Sequence, residues 1–139
     1  MTMKTHKGSC HCGAVRFEAD MDLAEGTNRC NCSLCAKARA WFALAPPERF
    51  RLISGADSQS EYQWTPAGRP GSNLRFRFCK TCGIRTAGYG EHGPNGGPFY
   101  FIAIAALDGA DADELAASIR YLDGRHDRFD RAPEDVRAM

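Results

Sequence analysis

Seven cysteines fall into three short groups along this 139-residue chain, and their spacing constrains the fold more than any other feature of the sequence. The groups are a C-x-C in "GSCHCG", a C-x-C-x-x-C in "CNCSLC" and a C-x-x-C in "FCKTCG". Tight cysteine groups in a reducing compartment are more often metal ligands than disulfides, and an odd number of cysteines cannot pair completely. We therefore expect these cysteines to bind metal ions.

The first and last groups together supply four thiolates, the number that closes a tetrahedral zinc site. These outer cysteines are Cys10, Cys12, Cys79 and Cys82. Each doublet adjoins a predicted strand and is followed by glycine, as expected where backbone amides turn tightly toward bound sulfurs. We predict a structural zinc here that ties the first strand to a central hairpin. Reduced structural thiols or a disulfide are the alternative.

The central group, Cys30, Cys32 and Cys35, offers only three thiolates, one fewer than a closed site needs. We predict a second zinc at this trio, with an open coordination position. Three thiolates give such a site a net charge of about minus one and make it a weak Lewis acid, so a thiol cosubstrate suits it better than hydrolytic water. The alternatives are a redox-sensing thiol cluster, or a partition in which the trio borrows an outer cysteine and leaves three unmatched.

Alternation of apolar and polar residues predicts a mostly β chain. In "AVRFEA", Val15 and Phe17 alternate with Arg16 and Glu18, and "NLRFRFC" repeats the pattern. Further strand candidates are "AWFAL", "RFRLISG", "SEYQW" and "PFYFIAIAAL". We predict short helices in "CSLCAKAR" and "DADELAAS", and a loop throughout the glycine-rich "GYGEHGPNGGP". The large aromatic residues are most simply assigned to the core: Trp41, Phe42, Phe76, Phe78, Phe99 and Phe101.

Length, charge and hydropathy limit the remaining classes of protein. A chain of 139 residues without an internal repeat predicts one domain, residues 1–139, with its core at about 8–129. The formal net charge of +1 and the absence of a basic stripe argue against a nucleic-acid partner. No segment approaches the roughly 18 apolar residues of a membrane span, and the N-terminal segment is unlike a signal peptide. We expect a soluble, cytoplasmic protein with a small-molecule partner.

Four motifs together resemble those of the glutathione-dependent formaldehyde-activating enzymes and the related centromere protein V-like proteins. The motifs are "GSCHCGAVRFE", "CNCSLC", "FCKTCGIR" and "LDGRHDRF", and the likeness runs from Gly8 to about Phe129. The resemblance implies a β-tent fold, a zinc-binding arrangement of small antiparallel sheets. It also implies two zinc ions per chain, a structural one on the outer cysteines and a catalytic one on Cys30, Cys32 and Cys35.

The activity that the resemblance implies is that of a carbon–sulfur lyase or synthase. Such an enzyme adds glutathione, or a similar small thiol, to formaldehyde or another small aldehyde, as S-(hydroxymethyl)glutathione synthase does. The alternative is a protein without catalytic activity, either a glutathione carrier or a zinc-stabilised scaffold that binds a macromolecular partner.

Basic residues near the motifs are candidates to pair with the carboxylates of glutathione, although each also fits a solvated surface charge. They are Lys37, Arg39, Arg85 and Arg125. Among the histidines, His11 favours a surface or supporting role over metal ligation, and His92 favours an exposed loop position over a place above the metal. His126 follows a predicted turn at Asp123 and Gly124, where a structural role is favoured over substrate orientation.

Overall fold

The computed structural model describes residues 3–69, 71, 73–116 and 119–139, and within them strands predominate. The strands are β1 (Lys4–Ser9), β2 (Arg16–Met21), β3 (Thr27–Cys30), β4 (Trp41–Ala45), β5 (Phe50–Ser54), β6 (Gln59–Trp64), β7 (Leu74–Cys79), β8 (Arg85–Gly90), β9 (Phe99–Ala103) and β10 (Ile119–Leu122). The helices are α1 (Ser33–Ala38) and α2 (Ala112–Ala116). The predicted mainly β class is confirmed. Neither helix in these ranges has the length or the apolar character to span a bilayer.

The strands form two sheets. Strands β1, β2 and β5 make a three-stranded antiparallel sheet in the order β1-β2-β5. The other seven make a second sheet in the order β10-β3-β4-β9-β8-β7-β6. Its neighbouring strands are antiparallel except for β10, which pairs in parallel with β3 from Ile119 opposite Thr27 to Leu122 opposite Cys30.

The alternating pattern of β2 explains which face of the smaller sheet is buried. Phe17, Ala19 and Met21 point into the core, whereas the residues between them are polar. On the polar face, two guanidinium nitrogens of Arg51 donate to the carboxylate of Asp20 at 2.9 and 3.0 Å. The burial of its apolar residues and the ion pair on its polar face both favour the same register of β2 against its neighbours.

The larger sheet covers this apolar face with side chains from its central strands. Ile102 of β9 is fully buried, and Ala43 of β4 is almost so. At the edge of this core the ring of Phe50 stacks between Phe17, with centroids 5.7 Å apart, and Tyr100, with centroids 4.2 Å apart. The core therefore lies between the two sheets and uses only one face of each.

Most of the predicted elements are confirmed. The segments "AVRFEA", "NLRFRFC", "AWFAL", "RFRLISG" and "SEYQW" overlap β2, β7, β4, β5 and β6, in that order. The predicted helices are α1 and α2, although Ala117 and Ser118 of the second segment lie outside the described residues. The segment "PFYFIAIAAL" is a strand only to Ala103 and then forms a 3-10 turn, Ile104–Ala106.

The predicted loop "GYGEHGPNGGP" is wrong for its first three residues, which belong to β8. A side chain at Gly88 would collide with the ring of Phe101, and one at Gly90 would collide with the ring of Phe99. Glycine inside a strand often marks such a close approach. These glycines therefore let two aromatic rings from β9 lie across the neighbouring strand.

Because Ile102 is fully buried between the sheets, Ile102→Ala should lower the free energy of unfolding by about 2–5 kcal/mol. Urea denaturation followed by circular dichroism measures this loss. The matched control is Ile53→Ala on β5, where the side chain is 55% exposed and the change should stay within about 1 kcal/mol. Equal losses in the two variants would contradict the placement of the core.

Candidate metal centre

The turns that follow β1 and β7 bring the four outer cysteines together. The sulfur of Cys12 lies 3.6 Å from that of Cys10 and 3.6 Å from that of Cys79, and all four sulfurs, including that of Cys82, lie within 4.8 Å of one another. Tetrahedral zinc with Zn–S bonds of about 2.3 Å holds its sulfurs about 3.8 Å apart. The donor set and its spacing therefore fit one metal ion.

Backbone amides point at these sulfurs, as the sequence predicted. The amide of Val15 donates to the sulfur of Cys10 at 3.3 Å, and the amide of Thr81 donates to the sulfur of Cys79 at 3.3 Å. The glycines that follow the two doublets adopt positive φ angles, +82° and +77°, which only glycine adopts readily. Such amides stabilise thiolates, the form of cysteine that binds a metal.

The pKa of Cys82 shows the same effect. Hydrogen bonds from the backbone amides of Cys12 and then Ile84 lower it to about 6, so this cysteine is mostly thiolate at neutral pH. The outer cluster thus contains a preformed anionic ligand.

The trio occupies the junction between β3 and α1. Cys30 is the last residue of the strand, Cys32 caps the helix, and Cys35 lies in its first turn. The amide of Cys32 donates to the sulfur of Cys30 at 3.4 Å, and the amide of Cys35 donates to the sulfur of Cys32 at 3.4 Å. The three sulfurs lie within 4.8 Å of one another, so they can hold one metal ion while falling one donor short of four.

The three thiols differ in acidity because they share hydrogen bonds. The pKa of Cys32 lies far below its ordinary value, since the thiol of Cys30 and then that of Cys35 donate to it. Hydrogen bonds with the side chain of Cys30, and then with that of Cys32, raise the pKa of the Cys35 thiol. Negative charge therefore concentrates on the middle cysteine of the trio.

Asn31, between the first two cysteines of the trio, fastens a distant turn to them. Its side-chain nitrogen donates to the carboxylate of Asp123 at 3.0 Å, and its side-chain oxygen accepts from the amide of Arg125 at 2.9 Å. Its own amide donates to the carbonyl of Leu122 at 3.3 Å. The sequence predicted a turn at Asp123 and Gly124, but nothing in it linked that turn to Asn31.

This attachment places Gly124 directly against the trio. A side chain at Gly124 would overlap the sulfur of Cys30 and approach Cβ of Cys32 to 3.2 Å. The buried carboxylate of Asp123 also accepts from Asn31 and pairs with Nδ1 of His126 at 2.9 Å. These contacts, first the one from Asn31, lower the pKa of Asp123.

A cleft of about 1510 Å³ opens beside the trio. Cys30, Cys32 and Cys35 all line it, whereas none of the outer cysteines is among the described residues that do. A bound small molecule in this cleft can therefore reach one cluster and not the other.

Four phenylalanine rings, which we term the aromatic floor, line the cleft on the face of the larger sheet opposite the core. They are Phe42, Phe76, Phe99 and Phe101. The centroid of the Phe101 ring lies 6.4 Å from Phe42, 4.8 Å from Phe76 and 6.0 Å from Phe99. The prediction that the large aromatic residues belong to the core holds for Phe76, which is buried, and for Trp41, which packs against the core. It is wrong for Phe42, Phe99 and Phe101, which are half-buried and line a cleft that apolar patterning cannot distinguish from a closed interior.

Arginine is the main charged residue type in the cleft wall. Three of the four basic candidates, Arg39, Arg85 and Arg125, line the cleft, whereas Lys37 is exposed outside it. Sequence reasoning missed further cleft-lining arginines, which are Arg29, Arg49, Arg69, Arg77 and Arg120. Arg29, Arg77 and Arg120 lie in strands, where alternation does not distinguish a cleft from the outer surface. Arg49 and Arg69 lie in turns, where no pattern marked them as cleft residues.

The histidines occupy the positions that the sequence favoured. His11 is exposed and is not a member of either cysteine cluster. His92 is exposed in the loop after β8, at the cleft wall. His126 pairs with the carboxylate of Asp123 at 2.9 Å in the turn beside the trio.

Fold and site together define a small two-sheet β protein with two cysteine clusters that can each hold a metal ion, one of them open to a cleft. The family model described as "Glutathione-dependent formaldehyde-activating enzyme" matches residues 5–122. The match covers most of the chain, so the chain belongs to this family, and the resemblance drawn from its motifs is confirmed.

Two relatives illustrate the range of similarity. A Halomonas elongata protein, named provisionally as a glutathione-dependent formaldehyde-activating enzyme, is 35% identical over 80 residues, which is 55% of this chain and 50% of the relative. The chain thus spans about half the length of that curated relative. A crystal structure of a Rhodobacter sphaeroides protein aligns with a TM-score of 0.65 at 30% identity, over 83% of this chain and 98% of that one.

The contact between Gly124 and Cys30 predicts that a single methyl group disturbs the trio. Gly124→Ala should weaken metal binding there by about 10- to 100-fold, the range seen when residues that orient metal ligands are changed. Cobalt(II) titration with a competing chelator measures the affinity of each cluster. Binding at the outer cluster should be unchanged.

The matched control is Gly97→Ala, because a side chain there meets no neighbouring atom within 4 Å. It should leave both affinities as in the wild type. Unchanged cobalt binding in Gly124→Ala would mean that the turn does not support the trio.

Proposed function

We propose that this chain binds a thiol at the trio, glutathione or a close analogue, and joins its sulfur to the carbonyl carbon of formaldehyde or another small aldehyde. The proposal rests on one contrast between the two clusters. The outer cluster has four sulfur donors and does not line the cleft, whereas the trio has three and does. A three-donor site beside a cleft is suited to a ligand that brings the fourth donor. The description of the matched family names glutathione and formaldehyde, the thiol and aldehyde of this proposal.

We further propose that both clusters hold zinc, giving two ions per chain. Cys10, Cys12, Cys79 and Cys82 would hold a structural ion between the two sheets. Cys30, Cys32 and Cys35 would hold the functional one. Zinc at the trio supplies one kind of chemistry, which is stabilisation of a thiolate that remains nucleophilic near neutral pH. In this proposal, residues 1–139 act as a single zinc-binding domain.

The proposed reaction forms one carbon–sulfur bond and involves no oxidation or reduction. The lone pair of the thiolate sulfur attacks the carbonyl carbon, and the π electrons of the carbonyl move to its oxygen. The proton lost from the thiol ends on that oxygen, so the product is a hydroxymethyl thioether or its homologue. The reverse reaction breaks the same bond, which is the direction of a carbon–sulfur lyase.

The residues of the chain would assist by binding and orientation. The aromatic floor excludes water from one side of the cleft, which strengthens electrostatic interactions within it. The arginines of the wall make the cleft attractive to an anionic thiol. Asn31 and Gly124 hold the far side of the trio in place, so that Cys30 does not change position when a thiol binds.

The two clusters should respond differently to loss of one cysteine. Purified under reducing conditions, the wild type should carry close to two zinc ions per chain. Cys79→Ser should lower the melting temperature by at least about 10 °C, because loss of the structural ion forfeits several kcal/mol of linked binding free energy. Cys32→Ser should lower the zinc content toward one ion while largely preserving the melting temperature. Zinc analysis and calorimetry measure both effects.

Cys79→Ser and Cys32→Ser serve as controls for each other, because each replaces one sulfur atom with oxygen in a cysteine cluster. Equal destabilisation by the two variants would contradict the assignment of structural and functional clusters. A wild type that carries at most one zinc after zinc supplementation would remove the functional site.

The proposed function is tested by comparing a ligand that has a free thiol with one whose sulfur is methylated. Wild-type protein should bind glutathione at least about tenfold more tightly than S-methylglutathione, because the methylated sulfur cannot become a thiolate ligand. The wild type should also accelerate the reaction of glutathione with formaldehyde above its spontaneous rate. Cys32→Ser should abolish this excess rate. Calorimetry measures the affinity, and nuclear magnetic resonance of the hydroxymethyl product measures the rate.

Other outcomes favour different functions. Preference for the free thiol without any excess rate would support a glutathione carrier. Equal binding of the two ligands and no excess rate, with formaldehyde or other small aldehydes, would leave only a zinc-stabilised scaffold.

A further inference from the structure

Arg85 differs in its partners from the arginines of the neighbouring strand β7, which pair with carboxylates. It begins β8, is half-buried and lines the cleft, and its guanidinium lies 5.2 Å from the centroid of the Phe76 ring in the aromatic floor. On the neighbouring strand, Arg77 pairs with the carboxylate of Glu61 at 3.1 Å. Within the described ranges, no carboxylate lies at ion-pairing distance from Arg85.

An arginine in this position is suited to bind an anion. Arginine side chains withdrawn from water are normally paired, because a partly desolvated charge without a counter-ion is unfavourable. Contact with an aromatic face restrains the guanidinium and leaves its N–H edge free to donate. A carboxylate accepts two parallel hydrogen bonds from this edge, so it is the group that the geometry suits best.

Cys30 of the trio, the aromatic floor and the guanidinium of Arg85 lie on one face of the larger sheet. Asn28 and Cys30 are two residues apart on β3 and therefore point to the same side. Asn28 pairs with Phe42, and residues directly opposite each other also share a side, so Cys30 and the aromatic floor lie on one face. The contact between Arg85 and Phe76 brings the guanidinium to that face.

The strand order gives the separation across the floor. Cys30 ends β3, and Arg85 begins β8, three strands away across the larger sheet. The path crosses from β3 through β4 and β9 to β8. Three strand spacings amount to about 14 Å between backbones.

We propose that Arg85 forms a carboxylate subsite that recognises the end of the thiol substrate remote from its sulfur. This inference rests on the proposed function, because it requires the sulfur to be bound at the trio. In extended glutathione, the sulfur and the glutamyl carboxylate are about 10 Å apart. The remaining distance is covered by the side chains of the trio and of Arg85. The subsite selects thiols that carry a carboxylate at this distance and gives no advantage to small neutral thiols.

The test compares two thiols on zinc-loaded protein by calorimetry. Glutathione carries the remote carboxylate, and 2-mercaptoethanol does not. Arg85→Gln should weaken glutathione binding by about 10- to 100-fold, the value of a hydrogen-bonded charge pair, and leave 2-mercaptoethanol binding unchanged. Arg85→Lys should retain part of the affinity, because lysine keeps the charge and loses the paired donors. Added salt should weaken glutathione binding less in Arg85→Gln than in the wild type.

The matched control is Lys37→Gln, which removes one positive charge two residues from Cys35 but outside the cleft. It should leave both affinities unchanged. Zinc content and melting temperature are measured for every variant, so that an indirect effect on either cluster is detected.

Each other result decides against the inference. Glutathione affinity within twofold of the wild type in Arg85→Gln overturns the carboxylate subsite and leaves the proposed function standing. If Arg85→Gln weakens the binding of both glutathione and 2-mercaptoethanol, or loses zinc, then Arg85 only supports the structure. A wild type that binds neither thiol overturns the proposed function, and the subsite with it.

Discussion

The contact among the four outer sulfurs is the constraint on which the arrangement of the two sheets depends. Cys12 and Cys79 are 67 residues apart in the chain, and their sulfurs are 3.6 Å apart. Cys10, Cys79 and Val15 form a small buried group separate from the main core. The turn between β1 and β2 is thereby fixed to the turn between β7 and β8. A chain of this length buries only about two thirds of its unfolded surface, so a second point of attachment adds substantially to the apolar core.

Because side chains alternate along each strand, the larger sheet contributes one face to the core and the other face to the cleft. Ile102 faces the core, while its neighbour Phe101 faces the cleft. Gly88 on the adjacent strand leaves space for that phenylalanine ring. The cleft is therefore the second face of a sheet whose first face holds the protein together. This arrangement places the aromatic floor on central strands, where its geometry is well supported.

The sequence was sufficient for features that depend on local pattern and ligand chemistry. Cysteine spacing predicted the two clusters, and alternation predicted β2 and β7. Strand β1 was missed because "KTHKGS" has no apolar alternation, and its pairing with β2 depends on backbone hydrogen bonds. The strand at Gly88 was missed because the need for glycine arises from a ring 13 residues away. The cleft was missed because phenylalanines beside a cleft and in a core have the same pattern.

Asn31 connects a six-residue motif to Asp123, which is 92 positions later in the chain. During translation the three cysteines of the trio are therefore synthesised well before the turn at Asp123 and Gly124 that packs against them. At roughly 5–20 residues per second, the delay is on the order of 5–20 s. During this interval the nascent chain carries thiols that lack Gly124 beside Cys30 and are open to oxidants. Capture of a metal ion by the trio at this stage would shield the thiols from oxidation before the turn is made.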